Sequence, residues 1–106
     1  MGTVYSQRFV AVQAATSDEV YTVPAGVRAI LRDVWAAENP STPGDTFAIE
    51  NTAGGFIYVV IFAGAQAETY FWQGRQVFEP GETIRFHVIS IVGMDVTASG
   101  YLLSLP

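Results

Sequence analysis

Cysteine and lysine are missing from the sequence, and there is a single histidine, His87. Without cysteine the chain has neither a disulfide framework nor a thiolate site. One imidazole with no thiolate also leaves zinc without its usual set of ligands. We therefore expect no metal and no cofactor, and a fold that is stabilised by packing alone.

Charged residues are scarce. They make up 14% of the chain, against about 25% in an ordinary soluble domain. The net charge is -5, and the five arginines are spread along the sequence rather than gathered in one stretch. Nucleic-acid binding by phosphate neutralisation needs a concentrated basic surface, so we expect no nucleic-acid partner.

Long apolar segments are also missing. The longest apolar run, residues 56–63, has eight residues, whereas a membrane-spanning helix needs about 20. The N-terminal segment has neither the basic start nor the continuous apolar middle of a signal peptide. We expect a protein that is not embedded in a membrane and that carries no export signal.

Hydrophobic residues account for 50% of the 106 positions. This length predicts one domain, residues 1–106. Valine, isoleucine, threonine and aromatic residues dominate over leucine, which favours strands over helices. Because a small domain has much surface per unit of core, some apolar side chains must face outward, and exposed apolar patches mark interfaces. We therefore expect a homo-oligomer or another assembled state.

Alternating apolar and polar residues, broken by turn signals every 8 to 12 residues, predict eight or nine strands. This pattern is typical of an all-β antiparallel sandwich, and the strand number favours a jelly-roll-like arrangement. Residues 27–38 fit a helical and a strand period, and their β-rich neighbours favour a strand. Gln73 and Gly74 predict a break between two strands, and Gly100 predicts a bulge that turns Tyr101 to the opposite face.

The segment "FIYVVIFA" is apolar at odd and at even positions, and would therefore be apolar on both faces of a strand. Such a run belongs in the middle of a sandwich or at a subunit contact. On an exposed edge it would be an aggregation hazard.

Catalytic groups are hard to find. His87 alternates with Arg85 on what we interpret as a solvent or inter-subunit face, and no nucleophile motif accompanies it. Glu79 and Glu82 flank Pro80 and Gly81, where exposed acids are ordinary turn residues. We predict no catalytic residue and no enzyme, and a small hydrolase that uses His87 is the weakest alternative.

Aromatic residues offer one candidate site. Tyr70, Phe71, Trp72 and Tyr101 could form a platform for sugar rings, or they could pack a core or an interface. Arg75 could cap Trp72 through a cation-π contact or pair with a carboxylate across a subunit boundary. The candidate interface or ligand platform is therefore Tyr70, Trp72, Arg75 and Tyr101.

Three stretches carry a resemblance to a known group. "YTVPAGVRAILRDV" at 21–34, "WQGRQVFEPGETI" at 72–84 and "VTASGYLL" at 96–103 resemble small virion proteins of tailed bacteriophages, especially phages of actinobacteria. Members are usually minor tail, minor structural or capsid decoration proteins. The segment "FIYVVIFAGAQAETYFW" departs from the resemblance, and only its general strand pattern agrees.

The resemblance implies an antiparallel β-sandwich that joins a virus particle, on the capsid or on the tail, and it supplies no active-site residues. Its partners would be other virion proteins and further copies of the chain, with a trimer favoured, and its location would be the virion after synthesis in the host cytoplasm. The alternative function is a carbohydrate-binding module at a phage tail tip that contacts the host cell wall.

Overall fold

A computed structural model describes residues 4–64 and 66–106. Thr3, the first residue of the strand predicted at the N-terminus, lies outside this range. The described residues contain no helix that could span a membrane. They form the expected all-β structure of eight strands: β1 (Val4–Ala15), β2 (Glu19–Thr22), β3 (Val27–Glu38), β4 (Thr46–Asn51), β5 (Gly55–Ile61), β6 (Glu68–Phe78), β7 (Thr83–Ile89) and β8 (Met94–Ser104).

The strands form two antiparallel sheets of four. Sheet A has the order β1-β8-β3-β6, and sheet B has the order β2-β7-β4-β5. The first strand pairs with the last, the second with the seventh, the third with the sixth and the fourth with the fifth. This is one long hairpin, rolled up so that β3 also pairs with β8 and β4 with β7. The predicted jelly-roll-like sandwich is confirmed.

The core lies between the two sheets and is built from alternate residues of the strands. Its largest fully buried apolar side chains are aromatic or branched: Phe47, Phe62, Phe78, Phe86, Leu31, Ile49, Ile84, Met94, Val23, Val34 and Val96. Within the strands, the period of two puts these side chains on the inner face and their sequence neighbours on the outer face, while Val23 and Phe62 directly follow β2 and β5. The ambiguous segment 27–38 is β3, a strand of 12 residues as predicted.

The predicted break at Gln73 and Gly74 is wrong, because β6 runs without interruption for 11 residues. Gly74 interrupts the apolar pattern for a packing reason. A Cβ atom at this position would lie 2.8 Å from Trp72 Cζ2, so the indole ring occupies the space that a side chain would need. With one continuous β6, residues 4–64 and 66–106 form eight strands.

The predicted change of face at Gly100 is also wrong. Val96, Ala98 and Leu102 are all buried, so the inward parity of β8 continues through the glycine. The irregularities lie instead on its two neighbours, between Arg8 and Val10 of β1 and between Leu31 and Asp33 of β3. A Cβ at position 100 would collide with the carbonyl oxygen of Ile30, and the close approach of β3 therefore requires glycine here.

Candidate functional site: two outer sheet faces

The outer face of sheet B is apolar along the edge strand β5. Phe56, Val59 and Ile61 point outward there, on the same face as Ala48 and Glu50 of β4. The segment that the sequence placed in the middle of a sandwich or at a subunit contact thus forms an edge of the fold. Its outward side chains are 63%, 51% and 65% exposed, respectively.

Further exposed apolar side chains lie on β7 and in the loop that follows it. Thr46 pairs with Ile61 on one side and with Ile89 on the other, so the two isoleucines lie at the same end of the sheet. Ile91 and Val92 follow in the loop after β7, and both are exposed. We call Phe56, Val59, Ile61, Ile89, Ile91 and Val92 together the sheet B patch. Its extent identifies it as a candidate interaction surface.

The charged residues on this face are paired within the chain. Arg85 Nε lies 3.0 Å from Glu50 Oε1 and 3.5 Å from Asp18 Oδ2. The Nε–H group points at neither carboxylate, so these contacts are ion pairs rather than aligned hydrogen bonds. His87 Nδ1 lies 2.8 Å from Asp18 Oδ1, and the same oxygen accepts a hydrogen bond from the Val88 N–H. The expected outer-face position of Arg85 and His87 agrees with the structure.

The outer face of sheet A carries an exposed aromatic pair. Trp35 of β3 and Phe71 of β6 are Cα partners, and their ring centroids lie 5.2 Å apart at an interplanar angle of 66°. Trp35 is 53% exposed and Phe71 is 47% exposed. Two residues along the same strands, Gln73 Nε2 donates a hydrogen bond of 3.3 Å to Asp33 Oδ1. The pair therefore offers apolar rings beside polar groups.

A shallow depression of about 660 Å³ lies on the same side of the molecule, between β1 and β8. Its lining includes Gln13, Asp95 and Thr97. Thr97 is a Cα partner of Trp35, so the depression and the aromatic pair are neighbours across sheet A. Together they combine apolar rings, hydroxyl, amide and carboxylate groups on one face.

Tyr70 and Trp72, two of the four predicted site residues, turn toward the core. Both pack against the buried cluster. The Tyr70 ring lies 4.9 Å from the Phe62 ring, edge to face. The Tyr70 hydroxyl donates a hydrogen bond of 2.7 Å to Glu68 Oε2, and this bond raises the pKa of Tyr70. Both side chains thus contribute to packing of the fold.

Arg75 and Tyr101 lie elsewhere. Arg75 is exposed on β6, on the parity opposite to that of Trp72. Tyr101 is a Cα partner of Ile30, as is the outward-facing Val77. The structure therefore does not bring the four predicted residues together as one platform. Phe71, named with the aromatic cluster, lies on the outer face with Trp35, which the sequence analysis did not single out as a site residue.

The signal that could have found Trp35 is its parity. Val34 and Ala36 are buried on either side of it, so a tryptophan between them has to point outward. The arginine and aspartate just before this segment hide the alternation, because the register of β3 shifts between Leu31 and Asp33. Of the aromatic residues in "TYFW" on β6, Phe71 faces outward beside Trp35, whereas Tyr70 and Trp72 face the core.

A second group of polar residues lies inside one end of the sandwich, where the loops after β3, β5 and β7 meet. Glu38 is 2% exposed and Asp45 is 7% exposed. Glu38 accepts hydrogen bonds from the Thr42 N–H at 2.9 Å and from Ser90 Oγ at 2.7 Å. Burial, together with the neighbouring Asp45, raises the pKa of Glu38.

A proton on Glu38 also explains the surroundings of Asp45. The buried Asp45 Oδ2 has no donor among the described groups if both carboxyl groups are ionised. A protonated Glu38 carboxyl group would be a donor beside it, and the side-chain hydrogen bond to Asp45 is one of the causes that raise the pKa of Glu38. The pair links the β3–β4 loop to Ser90 after β7. Within residues 4–64 and 66–106, no group of three or more His, Asp and Glu side chains is placed to hold a metal ion.

No protein-family model matches the sequence, and no curated protein matches it. Several solved structures share an overall similarity with the chain. The Drosophila NLP core, described as forming a pentamer and binding histones, is 12% identical, with a TM-score of 0.47 and coverage of 93% of this chain and 96% of the other.

Two further similar structures come from assemblies. A protein of Bacillus endospore appendages, which are disulfide-linked pili, is 9% identical, with a TM-score of 0.47 and coverage of 100% and 92%. The virus-like particle protein of the extra small virus of the prawn Macrobrachium rosenbergii is 12% identical, with a TM-score of 0.44 and coverage of 97% and 80%. At TM-scores below 0.5, these likenesses do not indicate what the chain does.

Proposed function

We propose that the chain is a non-enzymatic structural component of a bacteriophage virion, a capsid decoration or minor tail protein, that assembles through its outer sheet faces. The observation that carries the assembly role is the exposed apolar surface of sheet B. The resemblance of the sequence to small virion proteins is the reason why we propose a virus particle as the assembly. Among the described residues, the charged groups on this face are paired with one another around Arg85 and Asp18.

Exposed apolar surface favours association because burying it removes it from water. The gain is about 25 cal/mol for each Å² buried. An apolar edge strand such as β5 is an aggregation hazard unless another chain covers it. Residues 55–61 contain neither a charged residue nor a proline, which are two of the usual means by which an edge strand avoids association.

Particle binding tests this function. Purified chain is mixed with virions of a phage that encodes it, after removal or deletion of the native copy, and bound protein is measured by cosedimentation. We expect saturable binding at a fixed number of copies for each particle. Cryo-EM of the same particles would assign that density to the capsid or to the tail, and particles that bind no chain would contradict the proposal.

The second candidate function is carbohydrate binding at a tail tip, and the observation that favours it is the Trp35–Phe71 pair. Sugar rings stack their apolar faces on exposed aromatic rings, while their hydroxyl groups need polar partners. Asp33 and Gln73 lie beside the pair on the same face. For this candidate function we propose the outer face of β3 and β6 as the sugar-binding surface, in place of Tyr70, Trp72 and Tyr101.

Binding to host cell-wall glycan separates the two candidates. Wild-type protein, Trp35→Ala and Trp72→Phe would be tested in a pull-down with purified wall polysaccharide. The glycan hypothesis expects the first variant to lose binding and the second, whose ring packs inside, to retain it. Binding that survives removal of Trp35 and Phe71 together would contradict this candidate.

A further inference from the structure

We infer that the sheet B patch is a self-interaction surface, on which the same patch of a second copy of the chain packs across a two-fold axis. This inference rests on the proposed structural function, and it adds the partner and the residues. Three features of the outer face support it: the area of the patch, the pairing of the charges beside it, and the absence of a charged residue on β5.

The area is sufficient for a stable contact. The six side chains of the sheet B patch are between 51% and 92% exposed and present on the order of 600 Å² of apolar surface, at the top of the range of about 300–600 Å² for the largest patch of a typical monomer. A standard interface buries about 800 Å² on each partner. Thr46 lies between Ile61 and Ile89 and adds to the contact, and two facing patches of this size bury about 1,200 Å² in total, above the roughly 1,000 Å² expected of a specific interface.

The charges favour a copy of the same chain as the partner. In a two-fold interface each residue near the axis meets its own equivalent, so an unpaired charge there would face a like charge. β5 carries no charge between Gly55 and Ile61. The nearest ionic groups, Arg85 and Glu50, neutralise each other 3.0 Å apart. A partner selected by electrostatic complementarity would instead require a free charge on this face.

The edge strands differ in their protection. β1 carries Arg8 and two register shifts, β2 has only four residues, and β6 carries Arg75 in an outward position. Such charges, bulges and short lengths are the usual means by which proteins prevent edge association. β5 also has one register shift, between its pairs with Ile49 and Glu50, but none of its residues is charged. Among the described edge strands, it is the one without a charged side chain.

Sedimentation velocity of the full chain tests the inference. We expect the wild type to sediment as a dimer, with twice the monomer mass of 11.5 kDa. Ile61→Lys places a charge at the centre of the contact, and we expect it to raise the dimer dissociation constant at least about 30-fold, as for loss of an interface hot spot. Val77→Lys is the matched control, since it changes an outward valine on the edge strand of sheet A.

A second measurement does not depend on a disruptive charge. Because the chain has no cysteine, Ile61→Cys and Val77→Cys each introduce one reporter thiol. Labelling by a bulky maleimide should slow with rising protein concentration at position 61 and remain constant at position 77. Equal labelling at both positions, a monomeric wild type, a trimer, or a dimer insensitive to Ile61→Lys would each overturn the inference.

These outcomes are distinct from those for the proposed function. A dimer that dissociates on Ile61→Lys but binds no virion supports the self-interaction and contradicts the virion role. A monomeric wild type that still binds virions contradicts the self-interaction and leaves the virion role standing.

Discussion

Glu38 keeps a carboxyl group inside the end of the sandwich where three loops meet, and its protonation state should control local stability. Burial is the main cause that raises its pKa above the ordinary value of 4.5. A group whose pKa is higher in the folded state contributes stability that is fully present below the unfolded pKa. That contribution is lost as the pH rises through the folded pKa.

We predict that Glu38→Gln flattens this dependence. Glutamine cannot ionise, and its amide can donate to Asp45 as the protonated acid does. The melting temperature of the variant minus that of the wild type should therefore increase between about pH 4.5 and the raised folded pKa. Thermal unfolding at intervals from about pH 4 to about pH 9 measures it. Glu79→Gln, in an exposed ion pair with Arg28, controls for the loss of one surface carboxylate, and parallel curves for Glu38→Gln and wild type would contradict the prediction.

Gly100 is the second residue for which the structure predicts a specific effect of mutation on stability. Its missing side chain lets β3 approach, so Gly100→Ala forces a Cβ into the Ile30 carbonyl oxygen, which is backbone and cannot rotate away. We predict a loss of about 2–4 kcal/mol in the free energy of unfolding. Gly54→Ala is the control, because the nearest atom to a Cβ there lies 3.8 Å away. Urea titration should show a normal midpoint for the control, and a normal midpoint for Gly100→Ala would refute the packing account.

At the scale of the strands, β3 and β6 place the two tryptophans on opposite faces of sheet A. Trp72 points toward sheet B and packs against the core, with Gly74 beneath its ring. Trp35 points to the surface. The two side chains should therefore respond in opposite ways to stability and binding experiments.

We predict that Trp72→Ala lowers the free energy of unfolding by about 2–4 kcal/mol, since it removes a large ring from packed surroundings. Trp35→Ala should cost less than about 1 kcal/mol, because more than half of its surface is already in water. Each variant retains one tryptophan, so acrylamide quenching reports the other directly. Weak quenching of Trp35 in the Trp72→Ala protein would show that its ring is covered.

Composition and alternation were sufficient to predict the fold class and a strand number of eight or nine, because both depend on a period of two that each strand carries locally. Residues 27–38 were assigned by their neighbours, and the structure agrees. The candidate site was harder to predict. Whether Tyr70 and Trp72 face inward depends on which strand β6 pairs with, and a window of sequence does not contain that information.

The two wrong predictions, a strand break at Gly74 and a change of face at Gly100, have a common cause. Gly74 and Gly100 were interpreted as places where the backbone changes course, whereas both lie in regular strands and make room for something else: an indole ring in one case and a neighbouring strand in the other. A sequence reveals that a glycine breaks the apolar alternation. It does not reveal whether the reason is backbone conformation or close approach of a distant group.

At the scale of the whole molecule, a net charge of -5 on 106 residues opposes association of identical copies, while apolar burial favours it. Salt screens the repulsion and leaves the apolar contribution in place. We predict that self-association becomes tighter when sodium chloride rises from about 0.02 M to about 0.3 M. Sedimentation equilibrium at the two concentrations measures the dissociation constant. A weaker dimer at high salt would indicate that ion pairs between copies hold it together.

The rolled hairpin also determines the order in which the fold can be completed during synthesis. β8 lies inside sheet A, between β1 and β3, although it is the last of the eight described strands to be synthesised. Val4 of β1 can pair with Leu103 of β8 only after β8 has been synthesised. Until then β1 has no neighbour in its sheet, and the uncharged β5 is already exposed. Pairing between strands so far apart in sequence is slow. During that time β5 of a nascent chain is exposed to other copies before the core of its own sandwich has formed.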